Sequence, residues 1–325
     1  MKNARRARWR DLSMFKFILC ALLLAAAAPG SAAGSEGVSG AQFLRIGVGA
    51  REAALGDTGA TVSGAQSLFY NPAGLSDLAG TELALSQVKW VMDVNYSNLA
   101  AAKSFGAGVF GLSVNYLSMP RLEKYDKLGN KLDAAFSAAD MAAGIGYGAK
   151  LTQRLGCGLN ARYVSSSLDD KTASAMAFDA GLKYAVVRGV LNVGAALQNL
   201  GTKLKFSEES SSLPLNLKLG AEYVLSIDSD ADLPKKISFY ADVNQLKDSG
   251  VSGSAGIEFL SAYRDGSLFS FRGGYRTNAG DKSSGASLGL GMGSGAYLLD
   301  YSYSALGSLG QAHRLSLTLK FGAES

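Results

Sequence analysis

Apolar and polar residues alternate through His313-Arg314-Leu315-Ser316-Leu317-Thr318-Leu319-Lys320-Phe321. Leu315, Leu317, Leu319 and Phe321 fall on one face of a strand, and Arg314, Ser316, Thr318 and Lys320 on the other. The same period recurs from about residue 80 onward. Phe178, Ala180, Leu182 and Tyr184 oppose Asp179, Gly181 and Lys183, and Tyr297, Leu299, Tyr301 and Tyr303 oppose Asp300, Ser302 and Ser304. Leu215, Leu217, Leu219, Ala221 and Tyr223 oppose Asn216, Lys218, Gly220 and Glu222. The alternation predicts about fourteen strands, near 81–90, 94–103, 107–117, 138–150, 156–166, 173–186, 190–199, 214–226, 235–244, 252–260, 267–276, 284–292, 295–304 and 312–321. The strand at 94–103 is the least regular, its pattern slipping between Tyr96 and Leu99.

An even count returns the sheet to the side on which it began, the periplasmic side for a bacterial outer-membrane barrel. Both termini are then expected there, with long loops after odd strands and short turns after even ones. The stretches 118–137, 167–172, 200–213, 245–251, 277–283 and 305–311 fit the first class. Those at 104–106, 151–155, 187–189 and 293–294 fit the second, while 90–93 and 227–234 break the parity. Tyr116, Tyr163, Tyr275 and Tyr303 close ascending strands, and Tyr147, Tyr184, Tyr223 and Phe321 close descending ones, all on apolar faces. Two aromatic girdles are the mark of a bilayer-spanning barrel, whereas a soluble sandwich explains only the alternation. The fold expected is all-β: a transmembrane antiparallel up-and-down barrel of about fourteen strands over residues 80–325.

The start of the chain agrees with export. Lys2, Arg5, Arg6, Arg8 and Arg10 precede the apolar run Phe15 to Ala28, then Pro29-Gly30 and the small residues Ser31-Ala32-Ala33. Residues 1–33 read as a signal peptide cleaved before Gly34, too short in its apolar part for a bilayer span. Cys20 follows Phe17-Ile18-Leu19, without the small residues of a lipid-attachment site. This leader holds six of the 32 Lys/Arg and one of the 27 Asp/Glu, which is the whole formal charge of +5. The remainder is neutral by count, which removes the electrostatic case for nucleic-acid binding. Once the leader is gone Cys157 is alone, so no internal disulfide is expected. The 40 Gly, 14 Tyr and 14 Phe against 5 Pro suit strands, tight turns and membrane interfaces.

Residues 41–79 do not alternate, and 34–79 is read as a separate N-terminal segment. The pieces Gly47-Val48-Gly49-Ala50-Arg51-Glu52-Ala53-Ala54-Leu55-Gly56 and Ala65-Gln66-Ser67-Leu68-Phe69-Tyr70-Asn71-Pro72-Ala73-Gly74-Leu75 read as short helical or irregular elements. Irregular backbone at membrane depth is tolerated only under protein or water, so a hatch inside the barrel is expected.

Several runs carry a resemblance. They are Phe43-Leu44-Arg45 through Gly49-Ala50-Arg51, Ala54-Leu55-Gly56-Asp57-Thr58, Tyr70-Asn71-Pro72-Ala73-Gly74-Leu75, Leu197-Gln198-Asn199-Leu200-Gly201, Leu213-Pro214 leading into Gly220-Ala221-Glu222-Tyr223, and the closing His313 to Gly322. In order and spacing they resemble the PorV/PorQ family, within the FadL-like outer-membrane barrels. The resemblance implies a hatch whose motif residues are Gly49, Arg51, Gly56, Asn71, Pro72 and Gly74. It implies a part in type IX secretion and surface presentation, with secretion-machinery proteins or secreted cargo as partners. The alternative it carries is a FadL-like transporter of small hydrophobic molecules, with an apolar pocket at Leu68, Phe69 and Leu75. The chain departs from the family pattern in running past Phe321 to Ser325 and in having short outer loops.

Signals for chemistry are weak. The single histidine, His313, has Ser302, Ser304 and Asp300 on the strand before it, but polar residues on a polar face are the expected background. No enzyme, cofactor or metal is expected. Gly47-x-Gly49 has Glu52 where a dinucleotide fingerprint needs glycine, and Gly144-x-Gly146-x-Gly148 lies within a strand. Asp228, Asp230 and Asp232 lead to Leu233 and Phe239 where a calcium loop needs Gly and Glu, and read as a solvated turn. Twelve charges should face the lumen: Arg162, Asp179, Lys183, Lys218, Glu222, Asp242, Glu258, Arg272, Arg276, Asp300, Arg314 and Lys320. Pairing with one another and with the hatch is the baseline expectation, and a hydrated, gated path is its rival.

Overall fold

The computed structural model describes residues 39–120, 122–126, 128, 130–206, 209–227, 235–277 and 285–322. The leader, the acidic turn at Asp228, Asp230 and Asp232, and the last three residues lie outside them. The wall begins with β1 (Thr81–Lys89), β2 (Asn95–Phe105) and β3 (Gly108–Ser118), followed by a small hairpin of β4 (Leu122–Tyr125) and β5 (Lys131–Phe136). It continues with β6 (Ala138–Lys150), β7 (Leu155–Leu168), β8 (Lys171–Val187) and β9 (Leu191–Gly201). A second hairpin, β10 (Leu204–Phe206) and β11 (Glu209–Ser211), precedes β12 (Asn216–Ser226), β13 (Lys235–Leu246) and β14 (Gly250–Ala262). The chain closes with β15 (Leu268–Arg276), β16 (Gly285–Gly293), β17 (Tyr297–Ala305) and β18 (Gln311–Phe321).

Outside the two hairpins, the fourteen strands form one closed barrel in which each pairs antiparallel with its sequence neighbour in the wall. β1 closes it against β18 in continuous register from Thr81↔Phe321 to Lys89↔His313. Closure leaves no edge, so backbone polar groups are paired around the whole circumference. Each predicted strand is present within a few residues of its expected bounds.

The burial pattern is inverted relative to a soluble protein. Leu112, Ile145, Leu159, Leu288 and Phe271 are all more than half exposed, whereas Arg162, Asp179, Asp242, Arg272, Asp300 and Arg314 are buried. Apolar faces therefore point outward to lipid and polar faces inward. Tyr116, Tyr163, Tyr275 and Tyr303 stand at one end of the wall, and Tyr147, Tyr184 and Phe321 at the other. Tyr223 lies at that second end too, on the outward face by register, but is buried.

We call the mouth at Thr81 and Phe321 the near mouth, and the opposite one the far mouth. Both hairpins stand at the far mouth, in the connections 119–137 and 202–215. Neither was legible as strand pairs, because each strand is short and outside the wall's alternation. The expected loop at 167–172 is instead a two-residue turn, since β7 and β8 pair out to Leu168↔Lys171 around Asp169 at φ 57°.

The irregular strand, β2, slips in pattern because part of its inner face is apolar. Tyr96, Ala100 and Ala102 are buried there. Tyr96 meets Phe43 edge to face at 6.4 Å between ring centres, so protein and not water fills the lumen at that level.

Leu112, midway along β3 and outward, is a clean test of the orientation. Leu112→Arg should destabilise the barrel by about 2–4 kcal/mol, measured by denaturant unfolding in lipid vesicles. A change near zero would mean that this face does not meet hydrocarbon.

Candidate functional site

Residues 39–80 thread the lumen. The first of them lie at the far mouth: Gly40 N donates to Ser212 O at 2.9 Å. Gln42 Nε2 donates to Asp248 at 3.0 Å, and Arg45 reaches the same carboxylate. The segment then descends to Gly80 at the near mouth, where Ser104 N donates to Gly80 O. The strand ends thus share one mouth as expected, but Ser39 sits at the other, so the luminal segment runs the length of the barrel.

Its local structure follows from its punctuation. Gly49 (φ 83°) opens the five-residue helix Ala50–Ala54, and Gly56 (φ 74°) ends it. A side chain on Gly56 would meet the carbonyl of Tyr275 at 2.7 Å, so wall backbone also excludes one. Asn71 caps the 3-10 helix Pro72–Asp77, its Oδ1 accepting from Ala73 N at 3.1 Å, with Pro72 in the first helical position. The Asn71 amide also donates to Ala60 O at 2.6 Å and to Leu182 O on β8 at 3.1 Å. Gly74 passes so close to the carbonyl of Val62 that a Cβ there would clash.

Wall side chains satisfy the segment's backbone. Ala50 N donates to Ser316 Oγ at 2.8 Å, Gly59 N and Ala60 N to Asp242 Oδ2 at 2.7 and 2.9 Å, and Ala65 N to Glu82 Oε1 at 2.7 Å. In return Asn160 donates to Leu68 O at 3.1 Å, Gln198 to Phe69 O at 3.0 Å and Arg314 Nε to Gly47 O at 3.3 Å. Tyr70 Oη donates to Val48 O within the segment. An irregular, buried stretch has no ladder of its own, so these donors and acceptors replace water.

The twelve expected inward charges mostly pair. Arg162 meets Asp179 at 2.7 Å, Lys218 meets Asp242 at 3.5 Å, and Arg272 bridges Glu258 at 2.6 Å and Asp300 at 2.5 Å. Besides Asp242, four reach the segment or its neighbours. Glu258 accepts two bonds from Arg51, at 3.0 and 2.7 Å, while Arg276 meets Asp57 at 2.6 Å. Lys183 meets Asp77 at 2.9 Å, and Arg314, fully buried, lies 5.3 Å from the Trp90 ring centre. Glu222 accepts from Asn192 at 3.0 Å and from Tyr240 at 3.1 Å. Lys320 is exposed and lines a cavity beside Glu82. Sequence reasoning placed Ser316 on the polar face without assigning it a contact and missed Glu82, Asn160, Gln198 and Tyr240 as partners of the segment, although strand parity places each inward.

Gln198 and Asn199 both point inward because β9 bulges against β8, the register shifting between Phe178 and Ala180. Asn199 adopts φ 61°, and its N–H donates to Asp179 at 2.7 Å. Its amide donates to Pro214 O at 2.8 Å, which joins two of the motifs singled out in the sequence.

Polar cavities flank the segment. One of about 240 Å³ on the far side is lined by Phe69, Tyr70, Trp90, Asn115, Gln198 and Asn216, among others. One of about 250 Å³ on the near side is lined by Arg51, Glu52, Gln66, Glu82, Asp300 and Lys320, among others. Of the three residues proposed for an apolar pocket, Leu68 and Leu75 are fully buried with Ala65, Ala84, Ala100 and Val109. Leu68 fits over Gly111 and Gly146, and Leu75 over Gly148, so wall glycines receive them. Phe69 alone of the three borders a luminal cavity. His313 shares the outer surface with Tyr301, whose hydroxyl lies 2.8 Å from Nδ1, while Asp300, Ser302 and Ser304 are buried on the inner face. The wall separates the histidine from the groups a triad would need.

Two predictions test how the segment is held. Arg272→Met strands the buried Asp300 carboxylate, leaving Glu258 with Arg51 and Tyr240, and should cost about 3–5 kcal/mol in denaturant unfolding. At the near mouth, burial opposes the charge of Asp77, but Lys183, Ser63 and Lys150 outweigh it and hold its carboxyl below the usual range. A depressed native pKa stabilises fully above the unfolded value, about 4, and the gain fades as pH falls through the native one. Asp77→Asn should therefore lower Tm at pH 7, with the gap to the wild type closing below about pH 4.

Comparison with known proteins places this geometry. No curated protein sequence matches the chain. The Pseudomonas putida toluene transporter TodX is similar in structure, with TM-score 0.59, 13% identity, and coverage of 85% of this chain and 98% of that one. The Ralstonia pickettii toluene transporter TbuX has TM-score 0.57 and 15% identity over 85% of this chain and 98% of that one. The CymD monoaromatic hydrocarbon channel has TM-score 0.57 and 13% identity over the same shares. At these identities the likeness is one of fold: the closed outer-membrane barrel. The family model for the type IX secretion system protein PorV matches residues 33–249, which spans the luminal segment and the wall through β13, and the chain therefore belongs to the PorV family.

Proposed function

We propose that this chain is a non-enzymatic outer-membrane barrel that serves type IX secretion, with residues 34–79 as a fixed hatch. The observation that carries the reading is the PorV family match across the hatch and most of the wall. On this reading the near mouth faces the periplasm and the far mouth faces outside, as the even strand count and the short near-mouth turns suggest.

The chemistry of the lumen supports a role at the mouths and not through the bore. Wall groups on β1, β7, β9, β13, β14, β15 and β18 hold the hatch, through Glu82, Asn160, Gln198, Asp242, Glu258, Arg276 and Ser316. Releasing it would expose several buried charges at once, each costly to leave unpaired. The far mouth instead carries two hairpins outside the closed sheet, β4–β5 and β10–β11, the second packed onto the luminal segment through Leu204 and Phe206. These are the natural surface for a secretion-machinery protein or an emerging cargo. Passage of small hydrophobic molecules, suggested by the transporters of similar fold, would need an apolar luminal pocket. The luminal cavities here carry charged and amide side chains, and the large apolar groove, about 790 Å³, is lined by outward residues such as Phe110, Leu112, Ile145 and Phe178.

The test is genetic and uses the native host. Deleting the gene should abolish surface attachment of secreted proteins, read by labelling intact cells, and the intact gene should restore it. Replacing residues 122–136 by a short Gly-Ser turn should leave the barrel folded but impair that rescue. Unchanged surface attachment in the deletion strain would sink the proposal.

A further inference from the structure

Positive charge gathers in one sector of the near mouth. A cavity of about 320 Å³ there is lined by Lys150, Arg154, Lys183 and Arg188, with Gln153 and Asn192 between them. The carboxylate in its lining is Asp77, at the end of the 3-10 helix Pro72–Asp77 of the luminal segment. The cations come from the end of β6, the turn into β7, the end of β8 and the turn into β9. These pieces are tied together. Ala185 N donates to Arg154 O at 2.8 Å, and Arg188 Nη2 donates to Gln153 Oε1 at 2.5 Å. The cluster therefore belongs to a built rim and not to separate loose turns.

Asp77 does not balance this charge. Lys183, buried, meets it at 2.9 Å and donates to Ser63 at 2.6 Å, while Lys150 reaches its other oxygen at 3.4 Å. Arg154 and Arg188 are exposed and meet no carboxylate among the described residues. Glu222 stands behind the lining, accepting from Asn192 at 3.0 Å, so four cations still face two carboxylates. Residues 34–325 hold equal numbers of Lys/Arg and Asp/Glu, so the cluster is not the spill-over of a basic chain. Nor do the two lysines serve lipid headgroups outside, since Lys150 and Lys183 share the inward face opposite to Tyr147 and Tyr184. Like charges held this close repel, and a neutral or cationic ligand would leave that repulsion in place. A dianion offsets it. Guanidinium forks match the oxygens of a phosphate in pairs, and an ammonium adds a point charge beside them. The volume equals roughly ten waters at ~30 Å³ each, room for a phosphate with a small organic remainder.

We propose that this near-mouth cavity is a binding site for a dianionic phosphate group. It stands apart from the secretion role and from which mouth faces the periplasm. The test uses the full barrel at low salt in an amine-oxide detergent, free of phosphate, with glycerol 3-phosphate titrated in calorimetry. In a second arm phosphatidic acid, which carries the same group on a lipid, is offered in phosphatidylcholine nanodiscs and counted by native mass spectrometry. Saturable binding of the soluble ester supports the proposal with a solute as the source. Retention of phosphatidic acid without binding of the ester supports it with a lipid as the source. In whichever arm binds, Arg154→Gln and Arg188→Gln should each weaken binding by about tenfold or more. Lys89→Gln removes the same charge at the far mouth and should leave binding unchanged. Heat-modifiable gel migration reports whether each variant is folded. No saturable binding to the wild type in either arm would overturn the proposal, as would equal weakening by folded Lys89→Gln. Tighter binding of a hexaglutamate peptide than of either phosphate probe would also overturn it, by marking the cavity as a carboxylate site.

Discussion

Everything in this molecule depends on closing the ladder between β1 and β18. Hydrocarbon offers no partner to a backbone N–H or C=O, so an open edge on either strand would leave a row of unpaired groups in lipid. Continuous pairing from Thr81↔Phe321 to Lys89↔His313 removes that edge. Once the ring is closed, each side chain is either in lipid or in the lumen, and the inverted burial pattern follows from that division.

Closure creates the second problem, which is the bore. Polar side chains directed inward must be satisfied, and so must any irregular backbone that fills the space. The chain solves both with one device. Asp242 accepts from the backbone of Gly59 and Ala60, Glu82 from Ala65, and Glu258 holds Arg51. The wall charges are therefore partners of the luminal segment as much as of one another. Small residues set the distance: glycines at 158, 181 and 194 leave no room for a Cβ beside Pro72, Asn71 and Ala60. The abundance of glycine in the wall is a fitting requirement for this filling as well as a feature of strand turns.

Much of the fold was legible before the structure. Strand positions, the two girdles and most inward charges follow from a period of two, because a barrel wall has only two faces. Legibility failed where that premise failed. β2 was irregular because Tyr96, Ala100 and Ala102 face protein in the lumen and not water. The inward amides Asn160 and Gln198 went unnoticed because neutral polar residues carry no charge signal. The second inward residue at the β9 bulge could not be read at all, since Asn199 belongs to the outward face in a regular strand.

The sequence by itself determined the architecture: strand count, antiparallel order, the face turned to lipid, and the Asn-Pro-Ala-Gly cap that shapes the luminal segment. These are local or periodic properties, set by alternation and by the backbone preferences of Asn, Pro and Gly. Only the tertiary structure decided which charges meet, that the luminal segment spans from one mouth to the other, and that Leu68 and Leu75 are packed against the wall. Partners such as Arg51 and Glu258, or Asp57 and Arg276, lie some two hundred residues apart in the chain. Their meeting depends on the closed circumference of the wall and on the path of the segment inside it, neither of which any local pattern encodes.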